Sequence, residues 1–312
     1  MRNWLRRHRP RSPGPHRAED AHPQGRGLSG GGPEKTSRTV SHRGPVRVGP
    51  RGGAALGVVS LIGAAAFGWP LLASHGSAVA AHSTDAPWLF AALLPLLVAV
   101  VIATLSDTGV DAKAVAMLGM LAAAGAALRP LGAGTAGIEP MFFLMVLSGR
   151  VLGPGFGFTL GSLTMFASAL LTGGVGPWMP FQMLAMGWVT MGAGLLPRPD
   201  TLRGRGELAL LAAYGALSAV AYGTVMNLQG WPYIGGLASN IAYDPHASLS
   251  TNLARFAAYC LTTSLGWDLP RAALTAVLAF TLGPAILRAL RRATRRASFD
   301  ASAVFEDAPP DA

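Results

Sequence analysis

Apolar residues in this chain do not alternate. They gather in blocks of roughly 15–20 residues, the length that carries an α-helix across ~30 Å of hydrocarbon. The blocks lie at about 54–73, 88–105, 112–128, 138–152, 156–172, 181–196, 207–226 and 271–287. Backbone polar groups find no partner in lipid, so blocks of this kind predict helices. A transmembrane β-barrel would need short segments of alternating hydrophobicity instead. Breakers separate the blocks where a chain must turn: Gly153-Pro154-Gly155 after the fourth, and Gly173 to Trp178 after the fifth. The stretch 227–270 is longer than an ordinary connection. Within it Leu253, Phe256, Ala257, Cys260, Leu261 and Leu265 share one helical face. They predict an amphipathic helix on the outer membrane surface, either a connector or a lid.

The flanks differ sharply from the blocks. Residues 1–50 are rich in Arg, Pro, Gly, Ser and His with no apolar period, which predicts a disordered tail. The division expected is a basic cytoplasmic tail over 1–50 and two additional transmembrane helices over 51–106. A six-helix membrane domain over 107–290 and a cytoplasmic tail over 291–312 follow.

Composition agrees with a membrane chain. Of 312 residues, 51% are hydrophobic and 13% charged, against about 25% charged in soluble domains. The net charge of +10 would suit nucleic acid, but its placement does not. Twelve of the 25 Lys and Arg lie within residues 1–51 and five more lie from Arg288 to Arg296. With the N-terminus inside and eight spans, about 22 basic residues fall on the inner side. Only Arg129, Arg255 and Arg271 fall outside. The positive-inside rule therefore favours an even number of spans, both termini in the cytoplasm and a multi-pass protein of the plasma membrane. The basic tails would also be drawn to anionic lipid. The Arg-rich N-terminus lacks the short apolar core of a secretory signal.

Enzyme signatures are missing. There is no P-loop, HExxH or GxSxG motif, and no aspartate-rich motif of an intramembrane prenyl transferase. The single cysteine, Cys260, excludes an internal disulfide and a CxxC metal site. His75 and His82 share one loop, too little for a metal centre. No cofactor is expected.

Four features carry candidate chemistry. Gly149, Gly153, Gly157 and Gly161 recur every four residues, as close helix packing or a sliding surface would require. Ala112 and Ala116, and further along Ala122 and Ala126, repeat a small-xxx-small spacing that suits contact within the chain or with a partner. Arg129 and Glu139 flank one outer loop and could pair with each other or hold a polar ligand. Trp178, Phe181, Gln182 and Met183 supply apolar walls and a directional amide, as a small-molecule pocket does. Trp178 and Gln182 share a face if helical. Tyr222, Asn227 and Trp231 fall near the same end, where Asn227 could cap a helix.

The stretch GRVLGPGFGFTLGSLTMFASALLTGGVGPWMPFQMLAMGWVTMGAGLL, within about 139–196, resembles the substrate-specific S components of energy-coupling factor (ECF) transporters, a class of ABC importer. The likeness rests on a glycine-flanked short helix, a Ser/Gly-rich helix, a G-P-W turn, a Q-M pair and a glycine-rich closing helix. It extends more loosely over 112–290 and is nearest to the longer actinobacterial members. The apolar blocks predict an all-α membrane protein of about eight transmembrane helices, and the resemblance implies that the last six form the S-component bundle. It implies a substrate-binding subunit for vitamin uptake, without enzymatic activity of its own. Its partners would be a transmembrane coupling subunit and two ATP-binding subunits. By carry-over, Ala112 and Ala116 would contact the coupling subunit, and Arg129, Glu139, Trp178 and Gln182 would line the substrate site. Cobalamin-related compounds, pyrimidine or thiamin precursors and lipophilic vitamins all fit such a pocket. The first two blocks and the basic tail depart from the family pattern. A self-sufficient secondary transporter is the alternative; an intramembrane enzyme is a third.

Overall fold

The computed structural model describes residues 50–72, 97, 112–132, 136–197, 202 and 204–298, all within one unit spanning Arg43–Ala312. The expected tail over 1–49, most of the second block at 88–105, the His75 and His82 loop, Arg198, Arg203 and residues 299–312 lie outside the described residues. The described chain is all-helical, with no strand among the described residues.

The helices are α1 (Pro50–Leu72), α2 (Ala112–Leu128), α3 (Met141–Leu152), α4 (Pro154–Thr172), α5 (Met179–Leu195) and α6 (Arg205–Gly230). They are followed by α7 (Leu249–Tyr259), α8 (Leu265–Thr281) and α9 (Gly283–Ser298). Short 3-10 turns lie at Pro130–Gly132 and Trp231–Tyr233. Four helices are long and apolar enough to cross a membrane: those over Gly52–Leu72, Ala112–Gly132, Pro154–Thr172 and Arg205–Tyr233. A fifth crossing follows if the bent pair Leu249–Thr281 and Gly283–Arg295 counts as one span. These helices are compatible with a multi-pass membrane protein. The helices α3 and α5, at 12 and 17 residues, are shorter.

Close packing in the centre depends on glycine. A Cβ on Gly149 or Gly157 would meet the backbone carbonyl of Thr190, and one on Gly161 would meet that of Met186. On the facing helix, Gly187 leaves room for the Phe158 ring and Ser162, and Gly194 for the backbone at Gly153 and Pro154. The glycine stripe thus lies against α5 and lets α3 and α4 pack backbone to backbone on it, as small residues do between apolar helices. Gly153 differs: it has φ +90° and open space around it, and forms the turn between α3 and α4. Several buried hydroxyls are satisfied locally. Thr159, Thr164 and Thr190 donate to carbonyls one turn back, and Ser162 donates across to the Met183 carbonyl at 3.1 Å.

The first helix joins this body. Phe67 of α1 packs edge-on against Phe181, with centroids 4.9 Å apart, and Trp188 Nε1 donates to Ser60 Oγ at 2.9 Å.

The last third of the chain departs from expectation. Instead of a surface helix followed by a span beginning at Arg271, Leu249–Thr281 is one continuous helical run. It begins where Ser248 Oγ accepts the Thr251 amide at 3.2 Å. It passes through a π-helical turn at Cys260–Ser264 and carries Pro270 in its interior. The proline removes one backbone bond, a loss that neighbouring helices accommodate in apolar surroundings. Asn227 bridges from α6 to this turn: its Nδ2 donates to Ser264 Oγ and to Cys260 Sγ. It is therefore an interhelical tie, not a cap. The expected 271–287 block breaks at Gly283-Pro284, where the axis turns by 68° into α9. There Leu287 and Leu290 are buried while Arg288, Arg292 and Arg295 stay exposed.

Candidate functional site

Two groups of buried charge lie at opposite ends of α3, and they do different things. At its C-terminal end Arg150 donates to Glu207 Oε1 of α6 at 3.0 Å, and to the carbonyls of Leu196 and Pro197 at 3.1 and 2.6 Å. Glu207 also accepts from Arg291 of α9. Nearly every group here is occupied by another part of the chain, so this arrangement ties three helices and a loop together.

The other end is built differently. Glu139, just ahead of α3, accepts the Nε of Arg271 at 2.9 Å, and Asp268 accepts its Nη1 at 2.7 Å. Asp268 and Arg271 are three residues apart on α8 and both are buried. The guanidinium lies over the rings of Phe142 and Tyr222, 5.2 and 5.8 Å from their centroids, a cation–π geometry. Those rings meet edge to face at 5.0 Å. The Asp268 carboxylate occupies the space a side chain at Gly223 would fill. Arg129, at the end of α2, reaches inward to the fully buried Ser168 of α4, with Nη1 3.3 Å from its Oγ. Tyr222 is within electrostatic reach of Arg129, Glu139 and Arg271 together.

The length of α3 sets the depth of this cluster. Its 12 residues make about 18 Å of helix, whereas the 26 residues of α6 make about 39 Å. Because Arg150 pins the far end of α3 to Glu207 at the start of α6, Phe142 comes level with Tyr222. About two further turns of α6 extend beyond it. Tyr222, with Phe142 and Arg271 against it, therefore lies about two turns short of the end of α6.

Arg129 and Glu139, expected to pair with each other or to hold a ligand, do come into one cluster, but their partners are Ser168 and Arg271. Trp178 and Gln182 occupy successive turns at the start of α5, linked by a backbone hydrogen bond of 3.0 Å. The Trp178 indole is 46% exposed and folds back so that Nε1 donates to the Gly174 carbonyl at 3.1 Å. Gln182 Oε1 is buried with no hydrogen-bond partner. Neither joins the Arg271 cluster through a hydrogen bond or ion pair. Ala112 and Ala116 are exposed on α2, whereas Ala122 and Ala126 are buried.

Sequence reasoning missed Asp268, placed Tyr222 near this end without a role, and read Arg271 only as an outer charge. The available signal was Asp268-x-x-Arg271, an ion-pair spacing bracketing Pro270 inside an apolar stretch. A second missed feature is aromatic. Trp231 is fully buried against Tyr243, Phe256 and Tyr259, and its Nε1 donates to the Ile241 carbonyl at 2.7 Å. This cluster holds the 234–248 loop over the ends of α6 and α7. Among the described residues, no three His, Cys, Asp or Glu side chains are grouped to hold a metal.

No family model matches the chain, and no curated protein or solved structure shows a significant match to it.

Proposed function

We propose that this chain is the substrate-binding membrane subunit of an ECF-type importer. It captures a vitamin or related micronutrient at the outer face and passes it inward with a coupling subunit and two ATP-binding subunits. The observation that carries this reading is the cluster of Arg129, Glu139, Asp268 and Arg271 around Tyr222, recessed at one end of an otherwise apolar helical body. Ionisable groups in apolar surroundings are costly, and their presence marks a functional site by default. The Arg129 end would be the outer one, because the opposite end carries Arg150, Arg205 and the arginines of α9. From Ala112 onward, α2, α3, α4, α5, α6 and the α7–α8 run supply six helical segments. That number accords with the six-helix unit implied by the resemblance over 139–196. The shorter α3 and α5 would then complete the passes, and α1 with the 88–105 block would make eight. Ala112 and Ala116, exposed at the inner end of α2, are free to meet the coupling subunit.

A second reading, a self-sufficient secondary transporter, draws on one specific feature. The α7–α8 run combines a π turn, an interior proline, buried charges and a 68° bend into α9, and broken helices with buried charge characterise such proteins.

Native mass spectrometry of the mildly solubilised protein from its own cells separates the two. A retained ATPase pair, a second membrane subunit and a small-molecule adduct are expected. A lone chain with no adduct would sink the importer reading in favour of an independent transporter.

A further inference from the structure

We infer that the recessed cluster selects a small organic monoanion, a carboxylate above all, and that Arg129 is the cation that receives it. The inference rests on the substrate-site reading above and narrows the class of substrate.

The two arginines of the cluster are in opposite states. Arg271 is held by Glu139 and Asp268, at 2.9 and 2.7 Å, and sits over two rings. Its charge is already neutralised. Arg129 has a single hydrogen bond, 3.3 Å to the neutral hydroxyl of Ser168, and no carboxylate partner among the described residues. Most of its guanidinium donors are therefore free. Their planar fork matches a carboxylate in bidentate fashion.

Position argues against Arg129 being a simple lipid-facing anchor. Its side chain is only partly exposed and points at Ser168, which is fully buried on α4. The guanidinium thus lies on the inside of the helical body. Glu139 and Asp268 together bring one more negative charge than Arg271 offsets, and this excess would oppose a dianion such as a phosphate monoester more strongly than a monoanion.

The test uses the full-length protein in phosphatidylcholine nanodiscs, with benzoate as the probe and benzamide as its neutral counterpart. Benzoate is expected to raise the melting temperature and benzamide is not. In Arg129→Gln the benzoate affinity should fall about tenfold or more, the loss expected for a charged hydrogen-bond partner. Arg129→Lys should retain part of it. The wild-type comparison of benzoate with benzamide stands even if Arg129→Gln fails to fold. Equal responses to the two probes, no response to benzoate, or an unchanged benzoate affinity in Arg129→Gln would each overturn the inference.

Native mass spectrometry of protein from its own cells distinguishes the remaining outcomes. An uncharged adduct overturns the anion inference and leaves the substrate-subunit reading standing. A phospholipid adduct lost in Arg129→Gln assigns the cation to a lipid headgroup and also overturns it. Absence of both adduct and partner subunits sinks the importer reading alone if the benzoate response persists.

Discussion

Arg150 and Glu207 face each other across α3 and α6 at 3.0 Å, with side chains only 2% and 4% exposed. A pair this deep contributes less through its own attraction than through the cost of leaving either member alone. Glu207→Ala would strand Arg150 and release Arg291 from α9 at the same time. We expect a loss of about 3 kcal/mol or more, read as a fall in melting temperature of the detergent-solubilised protein. Arg291→Gln should cost under about 1 kcal/mol, because its side chain is 37% exposed. Equal effects of the two substitutions would show that the buried pair is not the anchor of this end.

The glycines make a sharper prediction because their environments differ. Gly161→Ala would drive a methyl group into the Met186 carbonyl, whereas Gly119 has open space around it. Gly161→Ala should destabilise by about 1–3 kcal/mol or prevent accumulation of folded protein, as overpacking does. Gly119→Ala should be neutral or slightly stabilising through its better helix propensity. Indistinguishable melting temperatures would mean that α4 and α5 do not pack backbone to backbone.

Much of this was legible from the chain, for reasons that also explain what was not. The helix expected at 112–128 is found as Ala112–Leu128, because a long apolar block between polar breakers permits few other structures. The glycine stripe was readable as packing, although its repeat of four runs through the α3–α4 turn, so that Gly149 lies on one helix and Gly157 and Gly161 on the next. The site was only half legible. Arg129 and Glu139 stand out beside a loop, but Asp268 and Arg271 come from a segment where hydropathy and Pro270 suggested a boundary. Pro270 is a strong stop signal for a solvated helix and a weak one where packing holds the helix on both sides. The partner of Glu139 is 132 residues away, beyond the reach of any local pattern. The 68° bend falls at Gly283-Pro284, a turn signal that stood inside the expected 271–287 block.

Gln182 offers a test in which stability and function part company. Its Oε1 is buried without a hydrogen-bond partner, and an unmet acceptor costs on the order of 1–3 kcal/mol. Gln182→Met keeps the volume and removes the acceptor, so the melting temperature should rise. If the amide is kept for substrate, binding of the co-purifying ligand should weaken in the same variant. Trp178→Ala removes an exposed indole and should change stability by less than about 1 kcal/mol while also weakening ligand retention. Full retention of ligand in both variants would place the substrate away from the start of α5.

The 234–248 loop carries a pH prediction. The Asp244 carboxylate accepts the His246 amide at 2.9 Å and the Arg255 guanidinium at 3.1 Å. The backbone bond from His246, followed by the bond from Arg255, holds its carboxyl below the ordinary range. A depressed carboxyl contributes order above its unfolded pKa of about 4 and loses it as pH falls through the folded value. Hydrogen exchange in the loop should therefore be insensitive to protonation of Asp244 between pH 7 and pH 5, and should accelerate only below about pH 4. In Asp244→Asn the loop should already exchange faster at pH 7. A transition well above pH 4 would show that the Asp244 carboxylate is not what orders the loop.

Ala112 and Ala116 are exposed one turn apart on α2, while Ala122 and Ala126 of the same helix are buried. Leucine at the first pair therefore meets no described neighbour that resists it, and Ala112→Leu or Ala116→Leu should leave the stability within about 0.5 kcal/mol of wild type. Leucine at the second pair should destabilise, since buried alanine positions have no room for three further carbons. If the exposed pair receives a coupling subunit, the bulkier side chain holds the two helices apart, because small residues are what allow close approach without a hydrophobic drive. Co-purification with the ATP-binding subunits should then fall in Ala112→Leu and Ala116→Leu while ligand retention persists. The buried pair serves as the control, since loss of assembly there would follow loss of fold. Unchanged co-purification in both exposed variants would move the partner contact off α2 altogether.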